Sequence, residues 1–279
     1  MGVDVADFFK SRFGKKLSRA FQAAAFALLL WASIAQGGDY AADFLRIGVG
    51  ARPLAMGSAY TAIANDGTAF YWNPAGIVQS NRYSIHFDHV PLFGGIAQFN
   101  SASVGLNFDK HMAVSIGWIR LGIDEIPRYA PLQGTAFDRM TRSEYRSTGQ
   151  ALGYFADTED AVIFSFARKE FFDLYLGTGF SKLIIPAEIA FSVSGKYIRH
   201  LLDDYRGTGQ GIDAGLSLRF ISSAVSHGEP NTWVGIGLVA RDLSRTTMVW
   251  STLSKHRDEI QASLRTGLAA SKFFRSVRT

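Results

Sequence analysis

The chain has 279 residues, of which 47% are apolar and 19% charged, with 28 glycines, 22 phenylalanines and no cysteine. So little charge is below the ~25% usual for soluble domains, and the absence of cysteine excludes a disulfide framework and a thiolate zinc site. The net charge of +5 falls to +2 without residues 1–35, which hold five basic residues (Lys10, Arg12, Lys15, Lys16, Arg19) and two acidic ones (Asp4, Asp7), so charge gives no support to nucleic-acid binding.

The N-terminus has a basic stretch, KSRFGKKLSR, then apolar AFQAAAFALLLWASIA, then the small-residue site Ser33-Ile34-Ala35. This order predicts a secretory signal peptide over residues 1–35. The apolar run is shorter than the ~20 residues that span a bilayer as a helix, and nothing after residue 35 reaches that length. A mature chain resident in a membrane would therefore have to be a closed β-barrel, the one strand architecture that leaves no backbone group unpaired in lipid.

Residues 36–81 precede the strands and read differently from them. ARPLAMGSAYTAIAND at 51–66 predicts a helix of about three turns, with Pro53 near its start and Asn65-Asp66-Gly67 as its stop. GTAFYWNPAG follows at 67–76. Asn73 before Pro74 is biased to an extended conformation, and its side chain can bond nearby amides, which predicts a stiff turn. Phe70, Tyr71 and Trp72 read either as anchors of that turn against an inner wall or, with the helix, as part of a plug; the two are compatible.

From residue 82 the apolar residues recur at every second position. Ile189, Phe191, Val193 and Tyr197 oppose Ala190, Ser192, Ser194 and Lys196; Ile212, Ala214, Leu216, Leu218 and Phe220 oppose Gly211, Asp213, Gly215, Ser217 and Arg219. The same alternation runs through Met112 to Trp118 and Ile260 to Ala270, with weaker copies at 83–89, 96–108, 162–168, 174–183 and 232–241, giving about ten antiparallel strands. Many reach 9 to 13 residues, longer than the ~5–6 usual in globular proteins. Alternation alone also fits a secreted β-sandwich. The small and polar opposite face favours a transmembrane barrel with a lipid-facing wall, and Trp118, Tyr197, Phe220, Trp233 and Trp250 fall where an interfacial girdle at strand ends would sit. The longest connection is predicted at 122–150.

Motifs for chemistry are sparse. GTGQG at 207–211 reads as lying between strands rather than before a helix, which makes a phosphate cradle a poor fit. The six histidines are scattered, and His86 and His89 fall on opposite strand faces, so no catalytic, metal or cofactor site is predicted, and no enzyme.

GVGARPLAMGSAYTAIANDGTAFYWNPAG resembles the N-terminal signature of the FadL/PorV-like outer-membrane barrels, and KYIRHLLDDYRGTGQGIDAGLSLRF and WVGIGLVARDLSRTTMVW resemble their later strands. The resemblance covers residues 43–270. It implies an all-β, fourteen-stranded transmembrane barrel over 82–279 with a short N-terminal helical plug, in which Asn73, Pro74 and Ala75 form the plug motif and Phe70, Tyr71, Trp72, Asn73 and Pro74 line the ligand path. The chain departs in stopping at KFFRSVRT, about four strands short of that count, and in lacking a terminal aromatic; a truncated or divergent member, or a barrel closed differently or by a partner, remain open. The implied partners are outer-membrane lipid and either a hydrophobic small molecule, as in the FadL branch, or a secreted cargo protein, as in the PorV branch of type IX secretion.

Overall fold

The computed structural model describes residues 41–109, 111–145, 149–176, 183–221 and 232–271. The predicted signal peptide lies outside them. Ten antiparallel strands make one curled sheet: β1 Tyr83–Leu92, β2 Ala97–Asn107, β3 Met112–Arg128, β4 Gly153–Leu176, β5 Leu183–Leu202, β6 Tyr205–Ile221, β7 Trp233–Arg241, β8 Thr246–Trp250, β9 Arg257–Ile260 and β10 Ser263–Ser271. The order is β1-β2-β3-β4-β5-β6-β7-β10, with β8 pairing β6 and β9. Among the described residues β1 and β10 are each paired along one side only.

The alternation read from the sequence is the alternation of the sheet. Ala190, Ser192, Ser194 and Lys196 are buried on the inner face, whereas Phe191, Val193 and Tyr197 are 44, 57 and 39% exposed on the outer one. No second sheet covers that outer face among the described residues. A β-sandwich would bury these side chains.

The exposed apolar residues are bounded. His89, Asn100, Arg120, Asp160, Arg199 and Thr208 stand in direct register across six strands as one polar row. The outward row beside it contains Phe87, Trp118 and Tyr197, and the Trp118 indole donates to the Asp160 carboxylate at 3.0 Å. Beyond this row the outer face is apolar. On β4 it ends early, at Arg168, while in the same register β5 and β6 continue with Phe191 and Leu216 and on to Ile189 and Leu218. The belt thus slants relative to the hydrogen-bonded rows, as it must when strands tilt in a curled sheet.

Several elements differ from expectation. The three-turn helix is instead one short helix, Ala51–Ala55, followed by turns. Gly57 (φ 62°) and Ser58 (φ 65°) stop it: the Gly57 amide donates to the Leu54 carbonyl and the Ser58 amide to that of Pro53, the paired bonds of a Schellman end with glycine in the left-handed position. The stop is thus Gly57, not Asn65 to Gly67. GTGQG lies inside β6, where Gly207, Gly209 and Gly211 face inward and leave room for Trp250, Met248 and Thr246. The expected strand at 174–183 is the end of β4 and the start of β5, with 177–182 outside the described residues. β3 continues to Arg128 past an irregularity between Ile123 and Ile126, so the longest connection narrows to 129–152 and carries a helix, Ala136–Thr141. Trp118 and Tyr197 sit at the edge of the apolar belt rather than at strand ends, whereas Phe220, Trp233 and Trp250 do fall at the ends of β6, β7 and β8, where Trp233 packs on Arg219 and Trp250 on His200.

Candidate functional site

Residues 41–80 cover the concave face. The 3-10 helix Pro74–Gln79 crosses β3 to β6, the Ser103 hydroxyl donates to the Gly67 carbonyl from β2, and the backbone at Thr61 and Ala62 reaches β7 and β10. The small inner residues are what allow this closeness. A Cβ on Gly117 would stand 2.1 Å from the Phe70 ring, one on Gly237 2.4 Å from the Thr61 carbonyl oxygen, and one on Gly215 2.6 Å from Asn73 Oδ1. The inner face is therefore a packing surface for the N-terminal segment.

Phe70, Tyr71, Trp72, Asn73, Pro74 and Ala75 are all buried, and the structure brings them together at the centre of this segment. Trp72 donates its indole N–H to the Val49 carbonyl at 2.7 Å, Tyr71 its hydroxyl to the Leu45 carbonyl at 2.7 Å, and the two rings pack edge-on at 5.0 Å. Asn73 is the joint. Its Oδ1 accepts from the Ala75 amide at 3.1 Å, which caps the 3-10 helix, while Nδ2 donates to Thr61 O at 2.8 Å and to Leu216 O of β6 at 3.1 Å. Asn73→Ala leaves the Thr61 and Leu216 carbonyls and the Ala75 amide without this partner, each at a cost of about 1–3 kcal/mol where water does not enter. The expected outcome is release of residues 41–80 from the wall, read as faster limited proteolysis of that segment with the strands still protected; unchanged proteolysis would contradict the joint.

A second cluster orders the loop before it. The Tyr60 hydroxyl donates to Asp66 Oδ2 at 2.5 Å, and the Thr68 amide and hydroxyl donate to Oδ1 at 2.9 and 2.6 Å. Burial pushes the Asp66 carboxyl up, but these bonds and Arg52 together hold it below its ordinary value. Burial and the neighbouring Asp66 raise the Tyr60 phenol, which stays protonated and donating.

Between the segment and the wall lies a cavity of ≈ 390 Å³. Phe70, Tyr71 and Pro74 line one side; Trp72, Asn73 and Ala75 are not among its walls. The other side carries Lys196, Arg241 and Arg265, with the acids Asp213 and Asp242, beside apolar Ile163, Val239 and Ile260. Arg241 donates to the Tyr71 carbonyl, and its guanidinium lies 4.4 Å from the Tyr71 ring centre. Arg265 lies 5.4 Å from that ring and keeps a buried Nη1 with no hydrogen-bond partner among the described residues. Lys196 is held between Asp213 and Asp242 at 2.8 Å each; the Asp242 amide donates to Asp213 at 2.7 Å and the Thr246 hydroxyl to Asp242 at 2.5 Å.

Sequence reasoning missed two charged groupings. Lys196 and Asp213 were legible as polar positions of an inner face, but their pairing with each other and with Asp242 joins three elements and has no local signature. His200 lies against Asp157 across 43 positions, a contact that only the β4–β5 register, Glu159 opposite His200, makes visible.

These features define a class: a curled, all-antiparallel sheet with an apolar outer belt and an inner face filled by its own N-terminal segment. No family model, curated protein or solved structure matches the chain.

Proposed function

We propose that the protein is an outer-membrane β-barrel of the FadL/PorV-like kind, completed by further strands or a partner across β1 and β10, which are each paired along one side only among the described residues, and that its N-terminal plug holds a binding site for hydrophobic small molecules with an acidic head. The observation that carries this reading is the cavity beside Tyr71, apolar along most of its wall and furnished with the unsatisfied Arg265 donor. Its volume lies within the ~300–1,000 Å³ of small-molecule sites.

Membrane residence rests on the outer belt. Ile189 to Tyr197 covers about 26 Å along β5 at ~3.3 Å per residue, or roughly 20 Å of height at a strand tilt of ~40°, most of the ~25 Å apolar band of outer-membrane barrels, and the aromatics beside the polar row suit an interface. In this reading the plug blocks free diffusion, the acidic head pairs with Arg265, and the tail lies against Leu45, Phe70 and Ile163. Release then needs movement of the plug, for which Asn73 is the hinge-side joint. The chemistry is binding and passage; no bond is made or broken.

The test is binding of a fluorescent long-chain carboxylate by the detergent-purified protein. Removing the head-group partner with Arg265→Ala weakens binding by about tenfold or more, since a hydrogen bond to a charged group contributes ~1.5–3 kcal/mol, while the methyl ester of the same probe binds both forms equally. Equal carboxylate binding by both forms would sink the proposal.

A second reading, the cargo carrier of type IX secretion, is favoured by one observation: Leu132, Phe137 and Met140 of the long connection are 67, 71 and 77% exposed. Co-purification of secreted proteins that disappears on deleting residues 129–152, with probe binding intact, would support it over the first.

A further inference from the structure

We propose that Asp157, Glu159 and His200 form a binding site for a divalent transition cation of the Zn²⁺ type on the inner face of the sheet. Strand geometry places them together. Asp157 and Glu159 are two apart on β4 and share a face, and Glu159 is the direct register partner of His200 on β5. His200 Nε2 is 2.7 Å from Asp157 Oδ1, and Nδ1 is 3.9 Å from Glu159 Oε2. One ligand atom from each residue can be chosen so that all lie within 4.8 Å of one another. Three donors bound at ~2.1 Å around one tetrahedral ion stand roughly 3.4 Å apart, so small side-chain rotations convert the present arrangement into a coordination set.

A separate observation shows that the place is short of positive charge. Among the described residues neither Asp157 nor Glu159 forms an ion pair with any lysine or arginine; His200 is the sole cationic partner of both. Their side chains are only 22 and 15% exposed. Asp43 and Asp258 add negative charge close enough to act on the cluster. Carboxylates this far from water require compensation, and a divalent ion supplies it.

The surroundings also fix the imidazole. The Trp250 ring packs on His200 at 4.8 Å between centres and is itself held by its N–H bond to Asp258 at 2.6 Å. Gly207, which pairs with His200 on one side and Trp250 on the other, makes the space: a Cβ there would lie 3.1 Å from the indole. The donor set decides the ion. One imidazole with two carboxylates suits Zn²⁺ or its neighbours rather than Ca²⁺ or Mg²⁺, which favour all-oxygen shells. Three protein ligands leave a position for water or a further oxygen donor. The proposal is independent of the membrane reading and of the Arg265 cavity.

The test uses the whole protein, purified in detergent, stripped with a chelator and titrated with Zn²⁺ and, for a spectrum, Co²⁺. One ion per chain is expected, with visible Co²⁺ absorption and quenching of Trp250 fluorescence that is missing in Trp250→Phe. His200→Ala and Glu159→Gln each weaken binding by at least about tenfold, Asp157→Asn does the same with little change of shape, and His111→Ala, beside Lys169 and Glu170 and away from the cluster, leaves it unaltered. Failure of the unmodified protein to bind one ion would overturn the proposal without recourse to any variant, and so would undiminished binding by the His200, Glu159 and Asp157 variants.

Discussion

Replacing Lys196 with methionine is expected to destabilise the folded protein by about 3–5 kcal/mol, the cost of leaving buried charge without its partner. Lys196 is 6% exposed and is the cation shared by Asp213 and Asp242, which are 7 and 6% exposed. Methionine fills most of the volume but leaves two largely buried carboxylates facing each other at the cavity wall. The Asp242 amide and the Thr246 hydroxyl still serve them, yet neither carries a full charge. Thermal or denaturant unfolding in detergent measures the loss. Changing Asp213 and Asp242 to asparagine in the same chain should recover much of it, because the repulsion goes with the charges; a loss below about 1 kcal/mol in the single variant would mean that water already compensates the pair.

The second large effect is on the other face. Val193→Arg should cost about 2–4 kcal/mol in a bilayer, the range for arginine at the midplane of a barrel's lipid face, and Thr158→Arg, outward on β4 beyond the polar row, about 0–1. Val193 is 57% exposed and makes no demand on packing, so a water-facing surface would tolerate arginine at both positions within about 0.5 kcal/mol. Reversible unfolding from lipid vesicles gives the comparison. Equal, small costs at the two positions would contradict the lipid assignment.

The two-sidedness of the sheet was legible because a strand repeats every two residues: Phe191 and Val193 could not share a face with Ser192 and Ser194. What the small face is for was not. Gly117, Gly215 and Gly237 belong to the small face, and their missing side chains are the space occupied by Phe70, Asn73 and Thr61. That fit relates positions tens to more than a hundred residues apart and leaves no local period. Strand length was under-read on β4, where Asp160, Arg168 and Glu170 break the apolar series although the ladder runs on past them. The N-terminal helix was over-read because alanine content outweighed Gly57, whose left-handed conformation ends it after five residues. Within the candidate site, Asn73 as a capping residue followed from its place before Pro74. Its bonds to Thr61 and to Leu216 of β6, like the approach of His200 to Asp157 across the β4–β5 register, join separate elements and leave no local signature.

That the apolar face meets hydrocarbon is the claim on which the functional reading stands, and a spin-label scan along β5 tests it most directly. The chain has no cysteine, so single cysteines at 189 to 195 and at 197 can each be labelled alone in the vesicle-reconstituted protein. Labels at 189, 191, 193, 195 and 197 should collide with oxygen and be shielded from a water-soluble nickel complex, most strongly near 193. Those at 190, 192 and 194 should be immobile and inaccessible to both; position 196 is left as lysine because it neutralises Asp213 and Asp242. Free access of the nickel complex to 191 and 193 would place this face in water and remove the barrel reading.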